Sequence, residues 1–304
     1  MNEFESKIIT HFENKFKKIK NKNYLALFSE LEKEFKPKEL IELYCYILKN
    51  KTDIKLLDST LRQINQKKYL DTLSSLIDFI LIPKQDNDFS NLKVLAIKII
   101  SNYKNKKALN ALLFCLNDKN SNYKIRLASA EALGKIGDTN AFEHLEKIVC
   151  DKEEKSAYIK ESAVIALGLL GDDRAIDVFD SIMNTKEFFQ NKFTILKERI
   201  IEAMLKLDIS KNSKAQNILK ASLEDSNPQI RINSIEALMN SNIRENYSLI
   251  YDRLKFDSDL EVKKNALIAL YNISDSKILE EVINGEFEIE LKQLAKEIFE
   301  EYEK

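Results

Sequence analysis

Apolar residues recur along most of this chain with the spacing of an amphipathic helix, and the whole pattern repeats about every 34 residues. The string Ala-Leu-Gly-x-x-Gly-Asp begins at Ala132 and returns at Ala166. A basic residue stands six positions before each alanine and serves as a marker for each copy. The markers are Lys93, Arg126, Lys160, Lys197, Arg231 and Lys263, with a weaker copy at Lys55 and a shortened one at Lys292.

Each copy places apolar residues at positions −1, +3, +6, +7 and +10 from its marker, which predicts a helix with a broad buried stripe. Position +6 is Ala in five of the copies, and position +7 is a large apolar residue. A small residue lets neighbouring helices approach, and the large residue fills the space between them. The pattern therefore predicts helices that pack against neighbours on both sides.

A second helix follows the first in each copy. Gly137-Asp138 and Gly171-Asp172 are typical of a turn, because Gly adopts the left-handed conformation that ends a helix and Asp caps the next one. The residues after the turn repeat the i, i+4, i+7, i+8 stripe. Neither helix can bury its apolar face alone, so stacking must supply the core. We expect an all-α solenoid of about seven helix pairs.

These residues resemble the HEAT-repeat family, in particular the short subtype of phycobilin-lyase-like proteins with the pattern D-x5-VR-x2-A-x2-ALG-x-IGD. The resemblance covers residues 88–275 strongly and 50–87 weakly, and it implies a right-handed α-α superhelix. Asp225 and Asp257 stand six residues before Arg231 and Lys263. In the family such residues form a ladder along the turns. In the two Ala-Leu-Gly copies the nearest Asp lies farther back, which predicts an interrupted ladder there.

Two regions follow from the pattern. Residues 1–87 are expected to form an N-terminal helical cap and a divergent repeat. Residues 88–304 are expected to form the HEAT-like solenoid, closed by a charged C-terminal helix. The polar loop from Leu81 to Asn91 contains a proline and predicts a boundary between them.

Composition favours helices and a reducing compartment. The chain has 5 Gly, 3 Pro and three widely spaced Cys without a CxxC pair, which argues against a disulfide framework or a zinc site. No signal-peptide or membrane-spanning pattern is present. We expect a soluble cytoplasmic protein without a metal or a cofactor.

Charge is unevenly distributed along the chain. Residues 1–126 hold 24 Lys and Arg against 15 Asp and Glu, and the rest of the chain is acidic. A cluster of lysines with Phe12 and Phe16 between them suggests nucleic-acid binding as an alternative function, although helical spacing favours both rings as core residues. The cluster consists of Lys15, Lys17, Lys18, Lys20 and Lys22.

Residues with catalytic chemistry are few. His11 and His144 are the two imidazoles, and no phosphate-binding loop, nucleophile elbow or HExxH motif occurs. The resemblance to HEAT-repeat proteins includes deoxyhypusine hydroxylases, DNA glycosylases and bilin lyases. The chain lacks the His-Glu pairs of the first and has no Trp. We therefore predict no catalytic residues and no enzyme, and a bilin-lyase-like or DNA-glycosylase-like enzyme stays an alternative.

The remaining candidate site is the surface of the first helices. In HEAT repeats these helices line the concave groove, and positions +2, +5 and +9 point away from the core stripe. The leading hypothesis is a non-catalytic scaffold that binds a segment of another, unidentified protein in this groove. The predicted groove residues are Glu131, Lys135, Ile165, Leu169, Arg199, Glu202, Lys206, Asn233, Glu236, Asn240, Asn265, Ile268 and Asn272.

Overall fold

The computed structural model describes residues 6–19, 23–83, 86–184, 194–210, 212–240, 246–273 and 276–302, and within these ranges the regular structure is helical. Short 3₁₀ turns at Leu70–Thr72, Lys106–Ala108 and Thr139–Ala141 lead into α5, α7 and α9. The α-helices are α1 (Lys7–Phe16), α2 (Tyr24–Glu34), α3 (Pro37–Asn50), α4 (Ile54–Lys67), α5 (Leu73–Ile80), α6 (Asn87–Tyr103), α7 (Leu109–Asn117), α8 (Tyr123–Ile136), α9 (Phe142–Cys150), α10 (Ala157–Leu170), α11 (Arg174–Met183), α12 (Thr194–Met204), α13 (Ser213–Ser222), α14 (Pro228–Asn240), α15 (Asn246–Phe256), α16 (Leu260–Ile273), α17 (Lys277–Asn284) and α18 (Ile289–Tyr302).

The chain divides into two compact units, Met1–Leu145 and Glu146–Lys304. In the first unit the helices form two layers. The first layer contains α2, α4, α6 and α8, each packed against the next, and the second layer contains α1, α3, α5 and α7 in the same arrangement. Helices α4 and α5, which precede the predicted boundary loop in the sequence, pack against α6, which follows it. The predicted division of the chain after residue 87 stays a prediction.

The second unit repeats this arrangement. Its first layer contains α10, α12, α14, α16 and α18, again packed in order. The second-layer helices α11, α13, α15 and α17 each pack against the first-layer helix that follows them. Contacts between successive helix pairs therefore build the core of each unit. The predicted all-α, HEAT-like solenoid fold is confirmed, and the pairs from α4/α5 to α16/α17 match the expected number.

The helical register predicted from the sequence agrees with the burial of side chains. All residues at positions +6 and +7 of the six marked copies are buried. Position +4, which the pattern did not single out, is buried in every one of these copies as well. A first-layer helix such as α6 or α14 has a neighbour on each side and second-layer helices beneath it, so its buried arc is wide. The residues at position +4 are Ile97, Ala130, Val164, Ile201, Ile235 and Leu267.

Three glycines explain the Ala-Leu-Gly-x-x-Gly-Asp string. Gly137 and Gly171 end α8 and α10 with φ of +71° and +67°, the left-handed conformation that Gly adopts without strain. Gly168 has a different role, because a Cβ atom built there would lie 2.7 Å from the Cβ and the carbonyl oxygen of Ala203. This glycine therefore permits the close approach of α10 and α12.

Candidate functional site

Eleven of the thirteen predicted groove residues lie in the second unit. Ten of them lie on α10, α12, α14 and α16, and Lys206 lies in the turn that follows α12. Positions +5 and +9 of these helices are exposed or half-buried, and we call the surface that they form the first-layer face. It consists of Ile165, Leu169, Glu202, Lys206, Glu236, Asn240, Ile268 and Asn272.

Position +2 lies closer to the core than the sequence pattern predicted. Asn233 is only 7% exposed, and its side-chain oxygen accepts a hydrogen bond from Gln229 Nε2 at 2.8 Å. Arg199 and Asn265 are half-buried. A ligand on the first-layer face therefore has Arg199 and Asn265 at its edge and does not reach Asn233 without a rearrangement.

The remaining two predicted residues lie on α8 in the first unit. Glu131 is half-buried and Lys135 is exposed. Their assignment to a binding groove stays a prediction.

The α10 side of the first-layer face is apolar. Leu169 is 42% exposed, Ile165 is half-buried, and Tyr158, eleven residues before Leu169, is 65% exposed. Residues separated by seven and eleven positions share one side of a helix, so these three side chains form a column along α10. Ile195 is exposed at the matching position of α12. Tyr158 and Ile195 were not among the predicted groove residues, because both precede the marker and lie outside positions +2, +5 and +9.

Charged groups lie beside this column. The Arg199 guanidinium donates a hydrogen bond to Glu202 Oε2 at 2.6 Å, and this bond raises the pKa of Arg199. On α10, burial raises the pKa of Glu161, the charge of Glu198 adds to this effect, and Arg199 opposes it. Glu198 is held in turn by Asn227 Nδ2 at 2.7 Å. The site therefore offers cations, a carboxylate that protonates more readily than usual, and apolar side chains.

The other side of the first-layer face is rich in amides. Asn265 Nδ2 donates to the Glu261 carbonyl at 2.8 Å, and Asn272 Nδ2 lies 3.8 Å from Met239 Sδ. Asn240 is exposed at the end of α14. Amides both donate and accept hydrogen bonds, so this end suits a polar ligand or an extended main chain.

A ladder of ion pairs runs along the turns of the second unit. Lys197 Nζ lies 3.0 Å from Asp225, and Arg231 donates two bonds of 2.9 and 2.7 Å to Asp257. Lys263 pairs with Glu288. Each basic residue thus binds an acidic residue of the following repeat. Arg231 also donates to the backbone carbonyl of Asp225, which fixes the guanidinium between two turns.

Basic markers of the first unit bond to the backbone. Arg126 Nε donates to the Leu116 carbonyl at 2.9 Å, and the Lys93 amine donates to the Ile82 carbonyl. Each bond satisfies a carbonyl near the C-terminal end of the preceding second-layer helix. The interruption of the ladder near Asp118 and Asp151 stays a prediction.

The ladder makes stability depend on pH. Burial raises the pKa of Asp257, but the hydrogen bonds from Arg231 and the Asp259 backbone outweigh burial, and the pKa lies below its ordinary value of 3.8. A depressed pKa contributes stability that is complete above the ordinary value and is lost as pH falls through the native value. We expect the midpoint temperature of unfolding to decrease as the pH drops below about 5. The decrease should be less steep in Asp257→Asn. Thermal melts between pH 3 and 7 test this. Parallel profiles would show that Asp257 does not control the acid response.

Part of the lysine and aromatic cluster near the N-terminus makes contacts within the chain. Lys15 pairs with Glu30 at 3.0 Å and with Glu34 at 3.2 Å. Phe12 is buried, and its ring stacks on Phe16 at 5.4 Å. Both aromatic residues therefore contribute to packing, as their spacing indicated. Lys20 and Lys22 lie outside the described residues.

The candidate metal ligands and nucleophiles are scattered. Across the described ranges, no group of three or more His, Cys, Asp and Glu residues could hold a metal ion. His11 lies 3.1 Å from Glu34, and His144 Nδ1 lies 3.2 Å from Asn117 Nδ2. No helix in the described part of the chain combines the length and the apolar character needed to cross a membrane.

Residues 80–157 match the family model of HEAT repeats. This part of the chain is similar to HEAT repeats. It is 32% identical over 83 residues to the phycocyanobilin lyase subunit alpha of Picosynechococcus sp. strain PCC 7002, a match that covers 26% of this chain and 30% of that relative. The predicted resemblance to HEAT repeats of the phycobilin-lyase-like type is confirmed.

One solved structure supports the fold of this chain. The Escherichia coli protein YibA is 16% identical, with a TM-score of 0.51 and coverage of 92% of this chain and 97% of that one. The complex of CpcE and CpcF of phycocyanin lyase from Nostoc sp. PCC7120 is 20% identical, with a TM-score of 0.47 and coverage of 77% and 88%.

These findings correct one prediction. The chain was expected not to be an enzyme, and the likeness to a lyase subunit overturns that expectation. The absence of familiar catalytic motifs misled the sequence analysis, because the HEAT-repeat pattern itself carries the likeness to lyases. The comparisons give no support to nucleic-acid binding. The cytoplasmic location stays a prediction.

Proposed function

We propose that this chain is a lyase-like HEAT-repeat protein that binds an open-chain tetrapyrrole, a bilin, on the first-layer face and acts on it with a partner protein. The observation that carries the proposal is the 32% identity to a phycocyanobilin lyase subunit. Because that relative is named as one subunit of a lyase, a second protein is part of the proposal.

The chemistry of the first-layer face suits a bilin. A bilin is a conjugated, largely apolar chain of rings that carries carboxylate side chains and ring N–H groups. The column of Tyr158, Ile165 and Leu169 offers an apolar surface for the rings. Lys206, in the turn after α12, offers a cation to a carboxylate, and Glu161 offers an acceptor to a ring N–H.

The amide-rich side of the same face suits the partner protein. Asn240 and Asn272 are exposed, and the oxygen of Asn265 stays available while its amide group donates to Glu261. These groups can pair with the main chain of an extended segment. The partner segment would then lie along α14 and α16, next to a bilin on α10 and α12. This arrangement keeps the predicted protein-binding groove and adds a substrate to it.

Titration of the purified chain with phycocyanobilin tests the proposal. We expect a saturable change in bilin absorbance, and about tenfold weaker binding for the double variant Tyr158→Asp, Leu169→Asp, because charge replaces the apolar column. Both side chains are well exposed, so the variant should fold. The matched control is Phe256→Asp, which removes an aromatic residue that is 72% exposed on the second-layer helix α15.

Two results would contradict the proposal. The absence of a saturable absorbance change with the wild-type chain would show that the chain does not bind the bilin. Unchanged affinity in the double variant, or equally weakened binding in Phe256→Asp, would show that the bilin does not bind on the first-layer face. Thermal melts of the three proteins establish whether any change in affinity comes from loss of structure.

A further inference from the structure

A cavity of about 440 Å³ lies in the first unit, where three first-layer helices begin. Its walls come from the first turns of α2, α4 and α6, and it is separate from the site proposed for the bilin. Ligand sites for small molecules have volumes of roughly 300–1,000 Å³, so this cavity suits a small ligand. It is lined by Asn23, Tyr24, Leu25, Ile54, Lys55, Asp58, Ser59, Asp88, Asn91 and Leu92.

Lys55 differs from the other basic markers of this unit in the position of its side chain. Lys93 and Arg126 donate to backbone carbonyls of the preceding second-layer helix. Their helices follow connections at 81–86 and 118–122, whereas residues 51–53 alone separate α3 from α4. The short connection leaves Lys55 at the start of α4, exposed at the cavity. Its amine thus differs from those markers, which donate to a carbonyl near the end of the preceding helix.

The cavity contains charges of both signs. Asp58 is held by Arg62 Nε at 2.7 Å, one turn along α4. Asp88 on α6 also lines the cavity and is exposed. Asn23 uses its side-chain oxygen to cap α2, which leaves its NH₂ group to face a ligand. Lys55 and Asp88 therefore present a cation and an anion from two different helices.

Apolar side chains complete the walls. Leu92 is buried, Ile54 is half-buried and Leu25 is 61% exposed although it is a large apolar residue. A ligand with an aliphatic part would cover Leu25 and gain about 25 cal/mol for each Å² of apolar surface removed from water. Ser59 and Asn91 add hydrogen-bonding groups between the two charges.

We infer that this cavity binds a small zwitterionic ligand with an aliphatic side chain, of the class of a free amino acid or dipeptide. The ligand carboxylate pairs with Lys55, the ligand ammonium pairs with Asp88, and the aliphatic part contacts Leu25 and Ile54. Each charge of the ligand then has an opposite charge from a different helix, which selects against molecules that carry one charge alone.

Binding of L-leucine to the full chain, with leucinamide and N-acetyl-leucine as single-charge analogues, tests this inference. We expect leucine to bind with a Kd of about 1 mM or below and each analogue to bind at least about tenfold more weakly. Lys55→Met should remove the preference for leucine over leucinamide. Asp88→Asn should remove the preference for leucine over N-acetyl-leucine.

The controls are Lys49→Met on α3 and Asp71→Asn, which change exposed residues of the same types outside the cavity walls and should leave all affinities unchanged. The inference is overturned if neither leucine nor leucyl-leucine gives saturable binding up to about 10 mM. It is also overturned if the cavity variants keep both preferences, or if neutral glucose binds as well as leucine.

Discussion

Replacing Asp257 by Ala is expected to lower the free energy of unfolding by about 3–5 kcal/mol, because the substitution leaves a buried guanidinium without its partner. The side chains of Arg231 and Asp257 are 8% and 2% exposed, and two hydrogen bonds join them. Asp257 also accepts a hydrogen bond from the Asp259 backbone at 3.0 Å, which the variant loses. Urea denaturation measures the effect.

The controls separate this ion pair from ordinary surface charge. Asp177→Ala removes the partner of Lys214 in a pair that is mostly exposed, and we expect a loss below about 1 kcal/mol. The double variant Arg231→Met, Asp257→Leu removes both charges and should recover most of the stability. A loss for Asp257→Ala as small as that for Asp177→Ala would show that the ladder does not hold the repeats together.

Gly168→Ala is expected to destabilise the second unit by about 1–3 kcal/mol or more, because the new Cβ atom meets α12. It would lie 2.7 Å from the Ala203 carbonyl oxygen and 2.8 Å from its Cα, and these backbone atoms cannot move without shifting the helix. Each repeat contacts only its neighbours, so the damage should stay local. Hydrogen exchange should show lost protection in α10 and α12 and retained protection in α16 and α18.

Two further variants distinguish this backbone contact from other causes. Ala203→Gly should not rescue Gly168→Ala, because the backbone atoms of residue 203 remain in place. Gly171→Ala places a side chain in open space at a φ of +67°, so it should cost roughly 1–2 kcal/mol through conformational strain without opening the α10–α12 interface. Rescue by Ala203→Gly, or uniform loss of protection along the unit, would contradict the proposed packing.

The repeat explains why most of the fold could be predicted. Positions such as Ala166 and Leu167 face the same environment in every copy, so one helical register accounts for the core of both units. The left-handed glycines were also predictable, because few other residues tolerate that conformation. The ion-pair partners in the ladder could not be predicted, because the spacing between Asp225 and Arg231 does not indicate which turn the guanidinium reaches.

The candidate site was harder to predict, because exposed positions are not constrained by packing. Asn233 occupies a position that the periodicity assigns to the surface, yet it is buried, as is Ser162 at the same position of α10. Tyr158 lies before the first residue of the recurring stripe, so the repeat pattern did not include its position. The sequence analysis favoured a non-enzyme and kept a bilin-lyase-like enzyme as an alternative, because residues that pack a repeat carry no chemistry of their own.

The most direct test of the proposed function compares acetylation of Lys206 and Lys220 with and without saturating phycocyanobilin. Both lysines are exposed and lie in the same unit, Lys206 in the turn after α12 and Lys220 on the second-layer helix α13. If a bilin carboxylate pairs with Lys206, mass spectrometry should show a several-fold slower acetylation of Lys206 and an unchanged rate for Lys220. Equal rates at Lys206 with and without the bilin would contradict its binding on the first-layer face.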